Sequence, residues 1–92
     1  MKPEEIYQHL KELAERLNIT VSEQNLRKSG VNVQSGFCIV KNRKIFILDK
    51  AKSTFDKSTI IASFLNQAID EDMYIMPAVR EFIQKHADDF QE

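Results

Sequence analysis

A chain of 92 residues, 42% hydrophobic and 29% charged, has room for one core and excludes a disordered or fibrous protein, so residues 1–92 are read as one domain. Its single cysteine excludes an internal disulfide. Without a basic-then-apolar leader or an apolar run near the ~18 residues of a membrane span, the expected setting is a reducing cytoplasm, with no membrane partner.

The net charge of −1 conceals a division along the chain. Residues 1–25 carry Lys2, Lys11 and Arg16 against five glutamates, net −2, and residues 58–92 carry Arg80 and Lys85 against seven acids, net −5. Between them, Arg27, Lys28, Lys41, Arg43, Lys44, Lys50, Lys52 and Lys57 outnumber Asp49 and Asp56, net +6. Such segregation steers oppositely charged surfaces, an acidic partner or a second copy of the chain, although solvated faces that happen to differ in sign are the plainer account. Nucleic acid is a poorer match, since the whole chain is acidic and its aromatics are not interleaved with the basic cluster.

In chain order, Ile6, Leu10, Leu13, Ala14 and Leu17 recur at three- and four-residue spacing, which predicts an amphipathic helix over Pro3 to Leu17. Pro3 suits a first turn that needs no N–H, Glu4 and Glu5 favour the positive end of the helix dipole, and Asn18 tolerates the left-handed conformation that ends a helix. Ile19 to Leu26 reads as a strand, Arg27 to Gly30 as a turn, and Val31 to Gln34 as either loop or strand. Gly36 to Lys41 and Lys44 to Leu48 are the arms of a β-hairpin closed at Asn42-Arg43. Both arms are apolar at consecutive positions, Phe37-Cys38-Ile39-Val40 and Ile45-Phe46-Ile47-Leu48, and a sheet covered on both faces is expected.

Ser53-Thr54 caps a second helix from about Phe55 to Ile69, with Ile60, Ile61, Phe64, Leu65 and Ala68 on its apolar stripe. Asp70-Glu71-Asp72 ends it, and Met73-Tyr74-Ile75-Met76 is a short extended segment suited to an edge strand. Pro77 starts the last helix, with Val79, Phe82, Ile83 and Ala87 on its inner side. The order α-β-β-β-α-(β)-α describes an α+β domain, a small antiparallel sheet packed by helices.

In this layout the chain resembles a group of small bacterial proteins of uncharacterised function. The resemblance is carried by Gly36-Phe37-Cys38, by Ile47-Leu48-Asp49 and by the segment from Tyr74 to Arg80, and such a family implies no activity. More distantly, hairpin followed by helix is similar to the core of zincin-type metallopeptidases, whose helix carries His-Glu-x-x-His to bind zinc and activate water. The corresponding helix here, Thr59 to Leu65, has neither His nor Glu, so the similarity implies architecture without the metal chemistry.

Few residues invite a chemical role. Cys38 needs a neighbouring base to act as a nucleophile, and a small apolar core residue is the usual fate of a free cysteine. His86 sits on the inner stripe of the last helix and His9 beside that of the first, which makes no zinc set. The acidic triplet at Asp70 lacks the spaced ligands of a calcium loop, and no glycine-rich phosphate loop exists. No metal or cofactor is therefore expected. Lys41, Arg43 and Lys44 at the hairpin tip could grip phosphate or simply keep a sheet edge soluble. Arg80, in a first helical turn that disfavours a cation, is expected to pair with Asp70 or Asp72 rather than with an external anion.

The leading expectation is a non-enzymatic domain that contacts a protein partner or itself, as a homodimer for example. Its candidate contact residues are Lys41, Arg43, Lys44, Met73, Tyr74, Met76 and Arg80. The alternatives are a small enzyme or ligand-binding protein with a pocket near Cys38, Asp49, Tyr74 and Arg80, and nucleic-acid binding through the basic hairpin.

Overall fold

A computed structural model describes residues 1–25 and 36–87 of the chain. The expected turn at Arg27 to Gly30, the stretch Val31 to Gln34 and the C-terminal residues from Asp88 lie outside the described residues. Helix α1 spans Pro3–Arg16, strands β1, β2 and β3 span Ile19–Gln24, Gly36–Val40 and Arg43–Asp49, and helices α2 and α3 span Thr54–Ala68 and Pro77–Lys85. The domain is α+β, as the periodicities predict.

Local signals act where they were read. Pro3 and Pro77 stand in the first turns of α1 and α3. The Ser53 hydroxyl accepts the Asp56 N–H at 3.1 Å and caps α2. Asn18 adopts φ 62° and ends α1, its N–H reaching the Glu15 carbonyl at 2.9 Å.

Tertiary pairing departs from the expectation in four places. First, the sheet is mixed and its order is β1-β3-β2, with β1 parallel to β3 and β2 antiparallel to β3. The central place goes to β3, whose Phe46 and Leu48 are buried, while the more polar β1 takes an edge. Second, among the described residues helices cover only one face. That face carries Ile19, Val21, Phe46 and Leu48, and the Phe46 ring lies 4.7 Å from Phe64 of α2. The opposite face presents Thr20, Gln24 and Val40 exposed and Cys38, Ile45 and Ile47 half-buried. Flanking strands shield the isoleucines of a central strand enough that consecutive apolar residues do not require a second helical layer.

Third, the hairpin turns at Lys41-Asn42, one residue before the expected position. Both residues have positive φ, 50° and 67°, and Val40 pairs with Arg43 across a two-residue loop. Fourth, Met73–Met76 is not a strand. Arg16 donates to the Tyr74 carbonyl at 2.9 Å and Arg80 to the Met73 carbonyl at 3.3 Å, so side chains satisfy this backbone where no sheet edge does.

Helix α2 is the structural centre. It contacts α1 on one side and α3 on another, and Ile61, Ala62 and Leu65 are fully buried with Leu10, Leu48 and Ile83. Because neighbours surround it, Ser58, Thr59 and Ser63 are buried as well. Their hydroxyls donate to the carbonyls of Thr54, Asp56 and Ala87 at 2.8–3.0 Å, which removes the cost of burying them.

Candidate interaction surface

The hairpin tip and the Met73–Met76 loop form separate surfaces. Lys41, Arg43 and Lys44 are all exposed at the tip. Asn42, Arg43 and Lys44 line an open concavity of about 500 Å³ with Glu15, Asn18, Ile19 and Thr20, where α1 ends and β1 begins. Alternation along β3 sets Lys44 on the helix-covered face beside Ile39 and Arg43 on the open face beside Val40.

The loop surface lies among the helices. Tyr74 is 74% exposed, Met73 packs against the core, and Met76 lines a shallow groove with His9, Leu13, Arg16 and Val79. Arg80 does not pair with Asp70 or Asp72. Its guanidinium donates to the Met73 carbonyl, a partner close in space because α3 folds back on the loop that precedes it.

Cys38, Asp49, Tyr74 and Arg80 do not converge. Cys38 and Asp49 are in register with the open sheet face, Cys38 opposite Ile45 and Asp49 four residues further along β3, beside Gln24. Tyr74 and Arg80 belong to the loop and helix held by α1 and α2, on the other side of the sheet. Among the described residues no group of three or more His, Cys, Asp or Glu side chains is arranged to hold a metal ion.

The tightest polar constellation joins three elements. Tyr7 of α1 donates its hydroxyl to Glu23 of β1 at 2.8 Å, and Lys57 of α2 reaches the other Glu23 oxygen at 2.7 Å. The ammonium groups of Lys11 and Lys57 lie 4.7 and 5.0 Å from the Tyr7 ring centroid, within cation–π range. Burial, then the Glu23 hydrogen bond and charge, push the Tyr7 phenol up. The Lys57 hydrogen bond is the main influence holding the Glu23 carboxyl below its ordinary value, against partial burial and with help from Tyr7 and Lys11. The arrangement fixes the edge strand β1 to both helices. Its signal in the sequence is phase, since Glu23 falls on the same alternation as Ile19 and Val21 and must therefore face the helices.

The most exposed apolar strand is β2, at the other edge of the sheet. Phe37 is 42%, Ile39 63% and Val40 48% exposed. Phe37 stacks on Phe64 with ring centroids 5.1 Å apart, which anchors one end of the patch to α2. From Gly36 to Val40 there is no charge, proline or bulge, the usual means of blunting a sheet edge. By contrast β1 exposes Thr20, Glu23 and Gln24.

Compared with models of known families, with curated proteins and with solved structures, the chain matches none. No helix among the described residues is long and apolar enough to cross a membrane.

Proposed function

We propose that this chain is a non-enzymatic protein–protein interaction domain that binds by adding a strand to the β2 edge. One observation carries the reading: an uncharged edge strand with three exposed large apolar side chains, on a sheet whose other edge is polar. Main-chain groups along such an edge supply affinity and its alternating side chains supply selectivity. Exposed Tyr74 and Met76 offer a second, smaller apolar contact among the helices. The reading departs from an enzyme because Cys38 and Asp49 lie on the open sheet face while Tyr74 and Arg80 lie among the helices. A reducing, cytoplasmic setting is the one that the single cysteine favours.

Immobilised protein and its Ile39→Lys variant, compared for retention of partners alongside light scattering of the free protein, test the reading. Association, with self or another protein, that is lost in Ile39→Lys is the expected result. A chain that neither self-associates nor retains any protein through this edge overturns it.

A further inference from the structure

We propose that the strand added to β2 is β2 of a second copy of this chain, paired antiparallel about Cys38. The inference rests on the interaction reading above and names the partner.

Hydrogen-bond phase supplies the first argument. A two-residue turn makes its flanking pair, Val40 and Arg43, a hydrogen-bonded pair, and bonding then alternates along the ladder. Gly36, Cys38 and Val40 thus direct their N–H and C=O groups at β3, and Phe37 and Ile39 direct theirs outward. Two outward residues spaced by two are the complement of the same strand reversed. Phe37 pairs with Ile39 of the second copy and Ile39 with its Phe37, so all four outward groups on each strand are satisfied by a two-fold contact.

Side-chain placement agrees with that register. Phe37 and Ile39 share the helix-covered face, so each exposed ring meets an exposed β-branched residue of the other copy, a favourable cross-strand pair. On the open face Val40 lies opposite Gly36 of the second copy, where a Cβ would meet nothing within 4 Å. Cys38 lies opposite its own equivalent on the two-fold axis, as a non-hydrogen-bonded pair.

Charge selects the antiparallel arrangement. Lys41 is three residues from Cys38, so the two basic tips stand roughly 20 Å apart at ~3.4 Å per residue, well beyond a Debye length of ~8 Å at physiological salt. Parallel pairing would set Lys41, Arg43 and Lys44 of both copies side by side. The product is a continuous sheet in the order β1-β3-β2-β2-β3-β1, ending on polar β1 at both sides.

The test combines native mass spectrometry of the full chain over a concentration series with mild oxidation. Antiparallel strands place the two Cys38 Cα atoms ~4.5 Å apart, within the range a disulfide spans. A dimer that oxidises to a Cys38–Cys38 cross-link supports the proposal. So does its weakening by about tenfold or more in Ile39→Lys, which removes two symmetric cross-strand pairs. Cys38→Ser, which keeps the edge, is expected to dimerise without the cross-link. Ile39 is 63% exposed, so a folded Ile39→Lys monomer is expected by circular dichroism. A dimer indifferent to Ile39→Lys and resistant to cross-linking overturns this pairing while the interaction reading stands. A monomer that retains a different protein through the same edge does likewise. A monomer that retains nothing overturns both.

Discussion

Replacing Glu23 with Gln isolates the contribution of the Tyr7–Glu23–Lys57 constellation. Glutamine keeps an acceptor for the Tyr7 hydroxyl but removes the charge facing Lys57, whose side chain is 12% exposed against 31% for Glu23. A hydrogen bond to a charged group is worth ~1.5–3 kcal/mol when buried, whereas exposed pairs are worth ~0–1 kcal/mol. Partial exposure places the loss at roughly 1–1.5 kcal/mol, or about 4–12 °C in Tm for a chain of this size. The pH dependence carries the sign. Because the folded Glu23 carboxyl titrates below its unfolded value, its contribution is complete above the ordinary carboxylate range, near pH 4.5, and is lost as pH falls through the lower folded value. Tyr7 behaves oppositely. Its raised phenol contributes fully below its ordinary value of 10.0, and that stability is lost as pH rises above it. Urea denaturation from neutral pH down through the carboxylate range, on wild type and Glu23→Gln, measures the first effect. Equal stability of the two proteins at pH 7 with superimposable acid profiles would refute the reasoning.

Three further outcomes follow from the geometry. Replacing Lys41-Asn42 with Asn-Gly should raise stability by about 0.5–2 kcal/mol in denaturant titrations, since both positions hold positive φ and lysine is a poor occupant. Asn18→Ala should cost about 1 kcal/mol by the same measure while Asn18→Gly is neutral or stabilising, because the residue at φ 62° ends α1 in the left-handed region. Ile83→Ala, at a fully buried position joining α3 to the core, should cost about 2–5 kcal/mol, seen as a lower calorimetric Tm and faster hydrogen exchange in α3.

Much of the candidate surface is legible in the sequence as segments but not as environment. Gly36 to Val40 is a strand, but its run of apolar residues signalled burial on two faces, whereas Ile39 at the sheet edge is 63% exposed. Consecutive apolar residues report that a strand avoids water without saying whether a helix or another molecule completes the job. Arg80 shows the same limit. Its place in a first helical turn marks it as needing a partner, and that partner is the carbonyl of Met73, on the loop α3 folds against, rather than one of the three acids close in sequence. In the sequence Glu23 is one charge among many, and only its alternation with Ile19 and Val21 marks it as facing the helices.

What local chemistry governs was legible along the chain: the apolar stripes of α1 and α3, the Ser53 cap, the prolines of both first turns and the left-handed Asn18. Each depends on groups within about four residues of one another, the reach of a helical hydrogen bond. Strand order, the open sheet face, the edge left at β2 and the meeting of Tyr7, Glu23 and Lys57 were decided only by the tertiary structure. Those partners are separated by 16 and 34 residues, and they meet because β3 takes the centre of the sheet, β1 pairs along it and the helices close over one side.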